Sequence, residues 1–269
     1  MAIITISRGT FSGGKQLAEC ISDHLGYRCI SREDMLGQAC REFSIPQEKL
    51  DIALMHKPGF LERMSLRRIH YLAYIRASLI KQVKDENIVY HGQAGHLLLH
   101  NVPNVLRVRV IADWEYRIEA AMERNNLDRE NAIKFIKEAD EERNKWVKSI
   151  YGVDRNDPSG YDLVINLEHI IIDNACEVVS TLATRDEFKK TLDSQKKIED
   201  LILATDIRAR IALSRNITDS DIDVTADNGL VTITGNVDRI DDADRIRALV
   251  RQIPGVKDVD SQIKVSQFG

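Results

Sequence analysis

With 269 residues, 43% of them hydrophobic, the chain is long enough for one large or two modest domains with apolar cores. A formal charge of −4 argues against a general nucleic-acid binder held by phosphate neutralisation, and no apolar run approaches the roughly 18 to 20 residues that span a bilayer. Cys20, Cys29, Cys40 and Cys176 show no CxxC spacing, and the N-terminus opens directly into a β-type run, so the expectation is a cytoplasmic protein with reduced thiols.

The first element is the most informative. Ile3 to Lys15, IITISRGTFSGGK, is an apolar run that breaks into a glycine turn and ends on a lysine, with Leu17, Ala18, Ile21 and Leu25 following at helical spacing. Gly9, Gly14 and Lys15 fit GxxxxGK, in which backbone N–H groups face phosphate oxygens and the lysine reaches the outer phosphates. A nucleoside triphosphate is the expected ligand. Gln16 stands where a Ser or Thr hydroxyl for Mg²⁺ is usual. The plain alternative is a tight strand-to-helix connection whose Lys15 is solvated.

Further strands are expected at Asn87 to His91, Leu106 to Ile111 and Asp162 to Ile165, and helices at Leu61 to Asp85, Asp113 to Asn125, Asp128 to Ser149 and Asp173 to Ala183. Short apolar strands alternating with amphipathic helices predict an α/β layer fold around a parallel sheet. Residues 185–197 are charged and poor in large apolar side chains, and read as a helical linker. Beyond it, helical spacing from Ile198 to Leu213 leads to an Asp227-Asn228-Gly229 hairpin signal, a second helix from Ile240 to Ile253 and a last strand around Val256 to Val265. This is an α+β module.

Phosphoryl transfer asks a protein chiefly for N–H groups and cations around the migrating group, so arginines should converge. Arg117 and Arg124 lie in a helix beginning at the C-terminal end of the third strand, where open α/β sheets bind ligands. Asp140 and Arg143 share a face of the next helix; a solvated surface is the alternative for each. The His91 to Gly95 turn should lie near the phosphate loop. His96 and His100 are four apart but lack a third ligand at matching spacing, so packing outweighs metal binding and no metal site is assigned to protein ligands. Arg63, Arg67 and Arg68 read as a solvated helix face.

The segments ISRGTFSGGKQLAE, YRCISREDML, IVYHGQAGHLLLHNVPNVLRVRVIADWEYRIEA and ADEERNKWVKSIYGVDRNDPSGYDLVIN, in that order, resemble the cytidylate kinase-like family over most of residues 1–175. The resemblance implies a P-loop NTPase three-layer parallel sheet and a nucleoside monophosphate kinase that uses ATP and Mg²⁺ on an acceptor such as CMP. Carried over, Gly9, Thr10, Phe11, Ser12, Gly13, Gly14, Lys15 and Gln16 would hold ATP. Ser31, Arg32, Gly92 and Gln93 would border the acceptor, while Lys15, Arg117, Asp140 and Arg143 would be the catalytic and lid residues. Relatives usually carry GRxxG or GRGA where this chain has Gln93, and their lids are richer in arginine. A catalytically weak nucleotide sensor is therefore the alternative to an active transferase.

The sequence IDVTADNGLVTITGNVDRIDDADRIRALVRQIPGVKDVDSQIKV resembles a BON domain, with Gly229, Gly235 and Gly255 at its turns and Val256 and Val259 in its last strand. Residues 198–269 carry 13 acidic against 9 basic groups, which disfavours docking on an anionic bilayer. The expected division is a kinase-like domain over 1–184, a linker over 185–197 and a BON-like domain over 198–269 with a regulatory or homo-oligomerising role.

Overall fold

The computed structural model describes residues 2–55, 66–84, 87–100, 102–214, 217 and 222–265, and the side chains of 54, 55 and 66–68 lie outside that description. Arg63 and the side chains of Arg67 and Arg68 therefore fall outside the described residues.

Five short strands form one parallel sheet: β1 (Ile3–Arg8), β2 (Arg28–Ser31), β3 (Ile88–His91), β4 (Val105–Ile111) and β5 (Leu163–Asn166), in the order β2-β3-β1-β4-β5. β1 is central, with Ile3 opposite both Ile88 and Val105, and its Ile3, Ile4 and Ile6 are buried. A strand covered on both faces needs such a continuous apolar run. Helices α1 (Gly14–Leu25) and α8 (Ile172–Ala183) pack together on one face, where Leu17, Ala18 and Ile21 meet Ile4, Ile6, Val108, Val110, Ala175 and Val179. Beyond β4 come α6 (Trp114–Asn125) and α7 (Arg129–Tyr151), packed on each other through Ile118, Ala121, Ala132 and Ile136. Each has its own start signal: Asp113 accepts from the Glu115 N–H at 2.7 Å and Asp128 from the Asn131 N–H at 2.8 Å. The single-turn α5 (Gly95–Leu98) follows β3.

The four expected strands appear within a residue or two of their sequence limits. β2 is an addition. It is a four-residue edge strand with a single buried residue, Ile30, so it offers almost no apolar pattern. Helices α2 (Arg32–Phe43) and α3 (Gln47–Met55) are also additions, whereas α4 (Leu66–Gln82) falls within the expected long helix.

The chain divides into two compact units. One comprises 1–35, 54–58 and 85–190; the other comprises 36–53, 59–84 and 191–269. In the second, α9 (Leu192–Leu213) runs through the end of the charged stretch and packs along α4, with the Lys81 ammonium between the Glu42 and Asp206 carboxylates. Thr191 and Ser194 close a reciprocal cap at its start. A three-stranded sheet follows: β6 (Asp223–Asp227) antiparallel to β7 (Leu230–Val237), and β7 parallel to β8 (Asp258–Val265). Asn228 and Gly229 have φ of 52° and 81°, as a two-residue hairpin turn between right-twisting strands demands. A Cβ on Gly229 would lie 2.5 Å from the Gly255 carbonyl oxygen, so glycine is also required for the close approach. Val231, Ile233 and Val237 pack with Ile207, Ile211 and, from α10 (Ile240–Val250), Ile246 and Val250.

Ile233 is fully buried in this small core and Leu230 is 57% exposed on the same strand. Ile233→Ala should cost about 2 to 5 kcal/mol in urea denaturation, through lost burial and an incompletely collapsed cavity. Leu230→Ala should stay within about 0.5 kcal/mol; equal effects would contradict the packing.

Candidate phosphate-binding and acceptor site

The site begins where β1 ends. After Arg8 the chain turns through a loop pinned to β4: the Gly9 N–H donates to the Val110 carbonyl at 3.3 Å, and the Ser12 hydroxyl lies 3.0 Å from the Gly9 carbonyl and 3.2 Å from that of Val110. Phe11 and Gly13 have φ of 60° and 79°, which reverses the chain into α1. At Gly13 an added Cβ would come within 2.9 Å of Leu167, so the loop also needs glycine there for packing.

Gly13 caps α1 without a side chain, and the first intrahelical bond is Leu17 N–H to Gly13 carbonyl, 3.1 Å. The amides of Gly14, Lys15 and Gln16 therefore have no acceptor within the helix. Donors converging with the positive end of a helix dipole suit an anion. Lys15 is more than half exposed, with Glu19 at 3.6 Å as its ion-pair partner one turn on. The Gln16 carboxamide, oriented to satisfy both polar atoms, gives its N–H to the Gly13 carbonyl and its oxygen to the Arg124 guanidinium. That oxygen is already engaged by a cationic side chain and is not left open to a metal ion. Position 16 does not fit a magnesium ligand.

Thr10 ties the loop to α6 and α7. Its N–H and hydroxyl donate to Asp140 Oδ1 at 3.0 and 2.7 Å, its carbonyl accepts from Arg117 Nε at 2.8 Å, and its hydroxyl oxygen accepts from Arg143 Nη1 at 2.9 Å. Arg117 also pairs directly with the other oxygen of Asp140. Burial alone would push the Asp140 carboxyl up; the Thr10 hydrogen bonds and the Arg117 charge outweigh it and hold it below the ordinary carboxylate value. Arg117, Asp140 and Arg143, separated in sequence, are thus one cluster on Thr10.

Beside this cluster lies a cavity of about 130 Å³, bordered among the described residues by Arg8, Arg32, Arg143 and Arg155 and by one carboxylate, Glu33. Gly92, Gln93, Ala94 and His96 form another part of its lining. Arg155 donates to the Arg8 carbonyl at 2.6 Å, and burial, then the nearby Arg109 and Arg143 charges, pull its guanidinium down to about 10. Burial likewise lowers Arg8 and Arg143. Such crowding of like charge calls for an anionic ligand. Arg32, Gly92 and Gln93 all line this cavity. Ser31 has a second duty, since its hydroxyl and N–H bind Asp34 at 2.6 and 2.9 Å at the start of α2.

Arg8, Glu33, Arg155 and His96 enter the lining without having been singled out for it. Arg8 carried a readable signal, the last strand residue before the glycine turn; Arg155 did not, because its contact spans 147 residues. His96 packs against the Tyr161 ring with centroids 4.6 Å apart, and its Nδ1 has no hydrogen-bond partner among the described residues. Burial, then Arg109 and Arg155, lower His96 to about 3; burial, then Arg8, lower His91 to about 4. Both are neutral in the fold, whereas the unfolded chain protonates them near 6.5. Their effect on stability is therefore absent above pH 6.5 and grows as an unfolding pressure as pH falls toward the folded values, reaching about 2 kcal/mol each at pH 5. Urea denaturation at pH 7 and 5 should show this loss, and His96→Gln should remove part of it. An unaltered pH dependence in that variant would contradict a neutral buried imidazole.

Residues 3–169 match the cytidylate kinase-like family and residues 199–267 match the BON domain. The cytidylate kinase of Pyrococcus horikoshii is 25% identical over 164 residues, 61% of this chain and 79% of that protein. That of Methanocaldococcus jannaschii is 27% identical over 182 residues, 66% of this chain and 96% of the relative. An uncharacterized protein from Eubacterium ventriosum superposes with a TM-score of 0.52 at 19% identity, covering 69% of this chain and all of that one, a likeness of fold alone. With the first match spanning well over half of its sequence, the chain belongs to the cytidylate kinase-like family and carries a C-terminal BON domain.

Proposed function

We propose that the chain transfers the γ-phosphoryl group of ATP to a small acceptor, a nucleoside monophosphate such as CMP. The observation that carries this reading is the arginine-lined cavity beside the phosphate loop, with Arg143 belonging both to the cavity and to the Thr10 cluster. The relatives named cytidylate kinase support CMP as the acceptor.

In this reading the loop from Gly9 to Gln16 and the α1 amides hold the ATP phosphates, and Lys15 leaves Glu19 to bridge the donor and the transferred group. Arg32, Gly92 and Gln93, with Ser31 at the edge, border the acceptor. An acceptor phosphate oxygen attacks the γ-phosphorus, the bond to the β,γ-bridging oxygen breaks, and ADP departs with that electron pair. Arg117 and Arg143 stand ready to meet the charge that builds on the oxygens. Asp140 holds these guanidiniums to the loop. Magnesium would travel with ATP as the counter-ion of its phosphates. An ATP-dependent reaction fits a cytoplasmic protein, and the BON domain would regulate it or bring two copies together.

A second reading, a nucleotide sensor with little turnover, is favoured by one observation: Gln16 stands where a hydroxyl for the metal ion is usual, and its oxygen is already engaged by the Arg124 guanidinium. A coupled assay for ADP across nucleoside monophosphates separates the two. The transferase reading predicts acceptor-dependent ADP release that falls by at least about 100-fold in Lys15→Ala, the scale of losing one phosphate-stabilising group. ATP binding without ADP release from any acceptor would leave the sensor.

A further inference from the structure

Gln93 is the least satisfied polar side chain of the cavity. Both its amide oxygen and its amide nitrogen are buried, and neither has a hydrogen-bond partner among the described residues. Buried polar atoms are almost always paired, so an unpaired donor and acceptor on one rigid turn mark a place where something else binds. The turn itself is well held. Gly92 has no room for a Cβ, which would run into the Tyr90 hydroxyl and lie 3.3 Å from Arg32 Cβ, and Ala94 takes a left-handed φ of 57°. The Tyr90 hydroxyl lies 3.4 Å from the Gln93 carbonyl oxygen. Main chain on both sides thus fixes the side chain's origin and leaves its amide unassigned.

The chemistry of the lining sorts the ligand into two parts. Arginines only donate, and four of them suit an acceptor phosphate, which only accepts at neutral pH. Gln93 Oε1 cannot be satisfied by a phosphate dianion, because it needs a donor. Its partner must present a donor beside an acceptor, as the pairing edge of a nucleobase does. Cytosine offers N4–H next to N3; uracil offers O4 next to N3–H. The two edges carry the same pair in opposite order. A half-turn about the last side-chain torsion of glutamine exchanges its O and N–H, and that torsion is soft and roughly two-fold. Among the described residues no hydrogen bond fixes its sense.

We propose that Gln93 reads the base edge of the acceptor in either sense, so that the site accepts cytidine and uridine monophosphates alike. This rests on the nucleoside monophosphate reading above and deepens it. An arginine at this position would meet only acceptors and would favour a different edge.

Calorimetric titration of the full-length protein with CMP, UMP and ribose 5-phosphate, for the wild type and Gln93→Met, tests the proposal. The wild type should bind CMP and UMP within about 10-fold of each other and both at least about 10-fold more tightly than ribose 5-phosphate, the scale of one or two added hydrogen bonds. Gln93→Met should weaken both nucleotides by about 10-fold or more and leave ribose 5-phosphate within about 3-fold, which also reports that the variant is folded. A wild-type preference of more than about 100-fold between CMP and UMP overturns the proposal without any variant. So does an equal loss for all three ligands, or no nucleotide binding. Binding in the expected pattern without ADP formation would instead sink the transferase reading and leave the Gln93 assignment standing.

Discussion

The Asp140 carboxylate is the joint on which the site depends. It accepts the N–H and the hydroxyl of Thr10 and pairs with Arg117, so a single side chain links the phosphate loop, the start of α6 and the middle of α7. Arg143, one turn further along α7, reaches the same threonine. Without an anion, two guanidiniums and an amide donor would crowd one partly buried spot, a strongly unfavourable arrangement. The carboxylate supplies that anion from the protein itself. Its depressed pKa has the same cause, and because a lowered carboxylate stays charged to below the usual range, the joint persists through neutral pH and is lost only on strong acidification.

Around that joint the fold does two separate things with charge. The loop side gathers neutral donors, the first amides of α1, whose positive character comes from backbone geometry and survives any change of side chain. The cavity side gathers guanidiniums from Arg8, Arg32, Arg143 and Arg155, which lie at the end of β1, in the first turn of α2, along α7 and just after it. Arg143 belongs to both. A movement of α7 would therefore act on the loop and the cavity together, which suits a reaction that must bring two phosphate groups into line.

Much of this was readable in the sequence, and the reasons are specific. The apolar run from Ile3 to Ile6 followed by glycines marks a buried parallel strand entering a turn, and that pattern needs no tertiary information. Arg117, Asp140 and Arg143 were reachable from strand-to-helix order and helical spacing, although their meeting point at Thr10 was not, since residues 10 and 140 are brought together only by the packing of α6 and α7. β2 escaped because an edge strand of four residues with one buried side chain carries no period. Arg155 escaped because nothing local distinguishes a buried arginine from a solvated one. Gln16 and Gln93 were visible as departures from a pattern; the structure adds that the first is engaged by Arg124 while the second has both amide atoms unpaired among the described residues. In the C-terminal part the Asn228-Gly229 turn fixed the hairpin register from local chemistry alone, whereas the packing of α9 along α4 joins segments far apart in sequence and had no local signature.

The central claim is that the amides between residues 9 and 16 form a cradle for polyphosphate. Isothermal titration of the full-length chain with ATP and magnesium, with tripolyphosphate as competitor, tests it most directly. The account predicts saturable binding of one ATP per chain that tripolyphosphate displaces. No heat of binding, or ATP binding that tripolyphosphate leaves untouched, would contradict it.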